Sequence, residues 1–162
     1  MAAPAAGCEE AEQHFRLGLQ FASGQGAALD YAQAAQWYRK AADQNHFLAQ
    51  FNLAMMYHHG QGVARDAVQS RMWLDRAARQ GDAGAQFHLG DNCHRASFTQ
   101  HPEDACESRI EAYKWYCLAA AQGYSGSETA HTTLTLSMTR TDVEDGNRRV
   151  AAFAIGKPNP GG

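Results

Sequence analysis

Long hydrophobic runs and clusters of basic residues are both missing from this chain of 162 residues. No stretch approaches the ~20 consecutive apolar residues that span a bilayer, so we expect no membrane span. Lys and Arg number 14 against 17 Asp and Glu, which gives a net charge of −3 and no basic run that would attract nucleic acid. Hydrophobic residues make up 44% of the chain, too many for a disordered protein, and the length suits one domain.

Motifs of catalysis and metal binding are missing as well. The sequence contains no Cys-x-x-Cys pair, no His-Glu-x-x-His and no Gly-x-Ser-x-Gly. Because hydrolases and zinc proteins place their reactive groups in such patterns, we expect a non-enzymatic protein without a cofactor or a metal ion.

What the sequence does contain is an internal repeat, seen first in its tryptophans. Trp37 and Trp73 lie 36 residues apart, and many neighbouring residues recur at the same interval. A fixed period of about 20–50 residues is typical of stacked repeat architectures. The recurring residues are Leu17, Leu53 and Leu89; Phe15, Phe51 and Phe87; Asp30 and Asp66; and the Ala-Ala pairs at 41–42 and 77–78.

Each repeat is predicted to form two helices, here called helix A and helix B. In the second repeat, Leu53 lies on the apolar side of helix A, which Gly60 ends. Asp66 then caps helix B, and Gly81 ends it. Glycine tolerates the positive φ that a helix exit needs, so the Gly-Gln-Gly segments are interpreted as turns and not as phosphate loops.

The third repeat departs from the period. Trp115 follows Trp73 by 42 residues, which indicates an insertion of about six residues. Ser108 is predicted to cap helix B, with Glu111 completing a capping box, so that the insertion enlarges only the loop at residues 96–107.

A C-terminal pair of helices is predicted to close the stack. A capping box at Thr139 to Asp142 opens the last helix, which Gly146 is expected to weaken. Solenoids need such a cap because their terminal repeat otherwise exposes an apolar face.

The repeat pattern resembles the Sel1-like repeat, a relative of the tetratricopeptide repeat. The matching motif is Ala-x-x-x-Leu-Gly/Ala-x-x-Tyr/Phe-x-x-Gly-x-Gly, followed by Asp-x-x-x-Ala-x-x-Trp-Tyr/Leu-x-x-Ala-Ala-x-x-Gly, over residues 11–124. The resemblance implies an all-α fold, an α–α superhelix (solenoid) of about three helix-turn-helix repeats plus a helical cap. It also implies a scaffold that binds other proteins, in a family known mostly from bacteria.

The predicted organisation follows the repeats. The segments are a flexible N-terminus at 1–10, one repeat domain at 11–155 with repeats at 11–46, 47–82 and 83–124 and a cap at 125–155, and a disordered tail at 156–162.

The tetratricopeptide resemblance implies that helix-A positions outside the Leu/Tyr packing face line a concave wall. The candidate partner-binding residues are Phe15, Leu19, Phe51, Met55, His58, His59, Phe87, Asp91, His94 and Arg95. One interpretation is a groove for an extended peptide or helix, assisted by the loop at residues 96–107. The other is that the phenylalanines are core and the histidines are solvated helix ends.

Three alternatives for the function remain open. The scaffold could be an immunity protein that neutralises a bacterial toxin. A metal or hydrolytic site could use His58, His59, Asp91 and His94, although no paired carboxylate supports it. The chain could also associate with itself through Leu17 or Phe21 at an open end of the stack.

The cysteines leave the cellular compartment open. In an oxidising compartment, Cys93 could pair with Cys106, or Cys106 with Cys117; reduced thiols are the other interpretation. Cys8 follows small residues as in a lipoprotein cleavage site, but the apolar segment of a signal peptide is missing. We therefore expect a cytoplasmic location for the chain as given, or a periplasmic one if a signal peptide has been removed.

Overall fold

Helices provide the regular secondary structure of the described residues, 5–99 and 101–155, in a computed structural model of the chain. No strand occurs in this part of the chain, and none of its helices is long and apolar enough to cross a membrane. The predicted tail at 156–162 lies outside the described residues. The helices are α1 (Ala5–Ser23), α2 (Tyr31–Asp43), α3 (Phe47–His59), α4 (Ala67–Gln80), α5 (Ala83–Ala96), α6 (Pro102–Ala120), α7 (Ser127–Thr135) and α8 (Arg140–Ile155).

The three repeats appear as the helix pairs α1/α2, α3/α4 and α5/α6, in the order helix A then helix B. The described chain forms two compact units. The first ends at Asp82 and the second begins at Ala83. The first unit holds α1–α4 and the second holds α5–α8. Helix α1 begins at Ala5, within the segment that was predicted to be a flexible N-terminus.

The caps predicted at Asp30 and Asp66 and the helix ends predicted at Gly60 and Gly81 are confirmed. The carboxylates of Asp30 and Asp66 each accept hydrogen bonds from two backbone N–H groups of the following helix, at 2.9 and 3.0 Å. Gly60 and Gly81 end α3 and α4 with φ of 72° and 103°. Capping satisfies backbone donors that have no partner within the helix.

Close contact between the two helices of a repeat depends on a small residue of helix A. A Cβ atom on Gly18 would lie 2.5 Å from Cδ1 of Tyr38, and one on Gly90 would lie 2.6 Å from Cδ1 of Tyr116. The second repeat has Ala54 and a leucine at the corresponding positions, both buried. A larger side chain on helix A is thus matched by a smaller one on helix B.

Gly62 serves a different contact, in the turn between α3 and α4. Its φ is +68°, and a Cβ atom there would overlap the backbone carbonyl of Tyr31 at the start of α2. The second glycine of this Gly-Gln-Gly turn therefore allows the turn to pack directly against the backbone of the first repeat.

The prediction for helix B of the third repeat was wrong. Ser108 lies inside α6 and does not cap it, because the helix already begins at Pro102. Proline is favoured at the first helical position, where no intrahelical N–H bond is lost. Helix α6 has 19 residues against 13 in α2 and 14 in α4, so the inserted residues lengthen the helix and leave a connection shorter than the predicted loop at 96–107.

Helix α8 is held on α6 by charge and by close packing. The guanidinium of Arg149 donates to both carboxylate oxygens of Glu107, at 2.6 and 2.9 Å, and to Glu111 at 2.8 Å. Gly146 was expected to weaken α8, but a Cβ atom there would overlap the ring of Tyr113, so this glycine permits the contact. The predicted capping box at the start of α8 is present.

Candidate partner-binding surface

The phenylalanine column divides between core and surface. Phe15 is 8% exposed, and its ring centroid lies 4.5 Å from that of His46 and 5.8 Å from that of Tyr38. Phe51 and Phe87 are half-buried. Phe15 thus packs in the core of the first unit, as the second interpretation of this column states, and it offers little surface to a partner.

His46 is a neighbour of Phe15 that the sequence did not single out. Its Nδ1 accepts the backbone N–H of Ala49 at 3.3 Å, which caps α3, so Nε2 carries the proton. Nε2 lies 3.1 Å from Oε2 of Glu12 and donates to it, and this hydrogen bond, with a second from Arg16, lowers the pKa of Glu12. The imidazole therefore joins α1 to the start of α3.

Nine helix-A positions form three columns at the 36-residue period, and none of the nine is buried. They lie in the second halves of α1, α3 and α5, and we call them the variable columns. Their residues are Leu19, Met55 and Asp91; Ala22, His58 and His94; and Ser23, His59 and Arg95. Within each column the side chains differ in size or charge, whereas the core column of Leu17, Leu53 and Leu89 keeps one residue type.

In the second unit, the variable columns place a polar group beside an exposed aromatic ring. The hydroxyl of Tyr116 donates to Oδ1 of Asp91 at 2.7 Å; burial raises the pKa of Tyr116, and the nearby carboxylate raises it further. The ring of His94 lies 5.1 Å from that of Phe98, which is 77% exposed. Arg95 is exposed at the same end of α5.

In the first unit, a cleft of about 140 Å³ opens beside the variable columns. We call it the Tyr38 cleft. It is lined by Ala22, Tyr31, Tyr38, Asn52, Met55, Met56 and Gln61. Ala22 and Met55 belong to the variable columns, so the cleft continues the candidate surface.

Leu17 and Phe21, the residues expected at a self-association surface, are both half-buried in α1. They correspond by the repeat period to Leu53 and Tyr57, which are buried in α3. Exposed Leu19 lies on the same helix.

The cysteines and histidines do not assemble a reactive centre in the described residues. All four cysteines are thiols, and no disulfide joins Cys106 to Cys93 or to Cys117. The Sγ of Cys106 donates instead to Oδ1 of Asp142 at 3.2 Å. No group of three or more His, Cys, Asp or Glu side chains is placed to hold a metal ion in this part of the chain, so the metal-site alternative gains no support.

Comparison with known proteins identifies the family. The Sel1 repeat model matches residues 14–46, 48–82 and 83–124. The chain belongs to the Sel1 repeat family. The predicted resemblance to the Sel1-like repeat and the predicted all-α fold class are thereby confirmed. Sel1 repeat proteins are in general scaffolds for protein–protein interaction.

Two solved Sel1 repeat structures are similar to nearly the whole chain. A Sel1 repeat protein from Oxalobacter formigenes is 31% identical, with a TM-score of 0.69, over 97% of this chain and 62% of that one. The protein c5321, a protective antigen present in uropathogenic Escherichia coli strains, is 26% identical, with a TM-score of 0.55, over 91% of this chain and 38% of that one. The chain thus spans less than two thirds of either protein. No curated protein matches it.

Proposed function

We propose that this Sel1 repeat protein is a non-enzymatic adaptor that binds another protein through the variable columns of its A helices. The observation that carries the proposal is the contrast between columns within one chain. The leucine column keeps its residue type and is buried or half-buried, whereas the residue type changes along each variable column and no variable position is buried. A stack of repeats is built by the first kind of column, which leaves the second kind to select a partner.

The chemistry of the variable columns suits a mixed interface. Leu19 is 42% exposed and supplies apolar area, while His59 and Arg95 supply donors and charge. Met55 is half-buried and its flexible thioether adapts to different contacts. Interfaces of this kind draw affinity from a few apolar anchors and specificity from polar groups around them.

Site-specific photo-cross-linking in living cells tests the proposal. A photoreactive amino acid replaces His59 in one variant and Val68 in a matched control, because Val68 is 77% exposed on helix B of the same repeat. We expect a discrete cross-linked protein from position 59 and none from position 68. Equal products from both positions, or a product only from position 68, would contradict the proposal.

A further inference from the structure

We infer that helix α8 is a releasable cover over α6, held closed by the ion pairs of Arg149, and that weakening these pairs uncovers the rings of Tyr113 and Trp115. The inference goes beyond the proposed function, because it concerns a movement within the second unit and not a partner. It is carried by a contrast between α7 and α8, the two helices that pack against α6 after the third repeat.

The two helices differ in how much apolar surface they bury. Helix α7 has nine residues and buries Leu134, which is 1% exposed. Helix α8 has 16 residues, yet its side chains at positions 140–154 are all exposed or half-buried, and the one buried residue of that range is Gly146, which has no side chain. Its larger apolar side chains, such as Val143 and Phe153, are half-buried. Because burial of an apolar face is what usually fixes a helix in a domain, α8 lacks the anchor that α7 has.

Polar contacts take the place of that anchor. The guanidinium of Arg149 bonds to both carboxylate oxygens of Glu107 and to Glu111, and the hydroxyl of Tyr113 donates to Oδ1 of Asn147 at 3.0 Å. The side chain of Glu107 is 59% exposed, so solvent and salt reach these ion pairs. Exposed charges are screened as the ionic strength rises, and the attachment of α8 to α6 therefore weakens with salt.

Two aromatic rings of α6 lie beneath the cover. The ring centroid of Trp115 lies 5.5 Å from that of Phe153, and a Cβ atom on Gly146 would overlap the ring of Tyr113. With α8 in place, Tyr113 and Trp115 are each 5% exposed. Departure of α8 therefore converts a closed part of the second unit into an aromatic surface that also carries the carboxylates to which Arg149 bonds.

Hydrogen exchange, measured by mass spectrometry on two variants, tests the inference. Arg149→Gln removes the ion pairs to α6 and one within α8, to Asp145. The matched control is Arg140→Gln, which removes only an ion pair within α8, to Glu144, and whose native side chain is 93% exposed. We expect the amides of α8 to exchange about three- to thirtyfold faster in Arg149→Gln, the range for losing charge-assisted hydrogen bonds at a partly exposed site. Arg140→Gln should not accelerate exchange in α8.

The wild type provides a second test that needs no variant. Between about 0.1 M and about 1 M NaCl the Debye length falls from about 10 to about 3 Å, so exchange in α8 should accelerate, whereas exchange in α7, which Leu134 anchors, should not. The thiol of Cys106 bonds to Asp142 of α8 and should react faster with iodoacetamide under the same conditions. This thiol reaction distinguishes departure of α8 from fraying of the helix in place.

Three results would overturn the inference. They are exchange in α8 that does not respond to salt, equal effects of Arg149→Gln and Arg140→Gln, and faster exchange in α8 with no change in the labelling of Cys106. If Arg149→Gln loses its fold by circular dichroism, the response of the wild type to salt decides alone. These measurements do not involve the variable columns, so their failure would leave the proposed function standing.

Discussion

Replacement of Gly18 by alanine gives a sharp test of how the repeats pack. The new Cβ atom would lie 2.5 and 2.6 Å from Cδ1 and Cε1 of Tyr38, whereas carbon atoms in contact lie about 3.5–4.0 Å apart. The ring must therefore move by about 1 Å in a buried site, and such overpacking costs about 1–3 kcal/mol. Alanine is the better helix former by about 0.8–1.0 kcal/mol, so the expected net loss of stability is about 0–2 kcal/mol.

The background of Tyr38→Leu should reverse the sign of this effect. The second repeat already combines Ala54 with Leu74 at the same two positions, and both are fully or almost fully buried. Without the ring, Gly18→Ala should stabilise the protein by up to about 1 kcal/mol. Urea denaturation of the four proteins of this cycle measures the coupling.

Equal destabilisation of both backgrounds by Gly18→Ala would contradict this prediction, because the loss would then not come from the ring. Gly7→Ala is the control, since Gly7 also lies in α1 and a Cβ atom there meets no atom within 4 Å. That substitution should be neutral or slightly stabilising.

Two further predictions concern the turns and the acid stability of the second unit. Gly62→Ala should cost more stability in thermal melts than Gly26→Ala, because both residues have positive φ but only Gly62 adjoins another backbone; equal costs would contradict this. Hydrogen bonds from Arg149 lower the pKa of Glu107, and in Glu111, where burial acts to raise the pKa, hydrogen bonds from Lys114 and Arg149 lower it overall. Both carboxylates therefore contribute stability above their ordinary pKa of about 4.5 that is lost as the pH falls through the lowered values, and Arg149→Gln should flatten this acid dependence in urea titrations.

Local patterns allowed much of the fold to be predicted from the sequence. Asp66 and Gly81 mark helix ends through contacts within one turn, so their roles follow from neighbouring residues alone. The predicted cap at Ser108 was wrong. Ser108 and Glu111 have the spacing of a capping box, but Pro102, six residues earlier, already provides a start for α6. Because Pro102 is favoured at a helix start, α6 begins there and not at Ser108.

A buried polar contact between the helices of a repeat has a signal in the sequence, a glutamine that recurs at the repeat period. Nε2 of Gln80 donates to Oε1 of Gln50 at 2.7 Å, and Nε2 of Gln122 donates to Oε1 of Gln86 at 2.9 Å. Gln50 and Gln86 lie one period of 36 residues apart, and each is 1% exposed. Polar residues that recur at the period of a core deserve the same weight as apolar ones, because burial obliges them to pair.

The candidate surface could be predicted only in outline. The register of the repeat places Leu19, Met55 and Arg95 at unburied positions, as expected of a binding wall. The burial of Phe15 depends on Tyr38 and His46, which are distant in sequence, and periodicity carries no information about those contacts.

The central claim is that the variable columns bind a protein partner. Its most direct test is the dissociation constant for the partner protein that cross-linking at position 59 identifies. Calorimetry should compare the wild type with a double variant, His59→Glu with Arg95→Glu, and with Val68→Glu. We predict that the double variant weakens binding by about tenfold or more, which corresponds to about 1.4 kcal/mol, because it reverses the charge of Arg95 and adds a negative charge at position 59, while Val68→Glu changes nothing. Unchanged affinity in the double variant, or a loss only in Val68→Glu, would contradict the account.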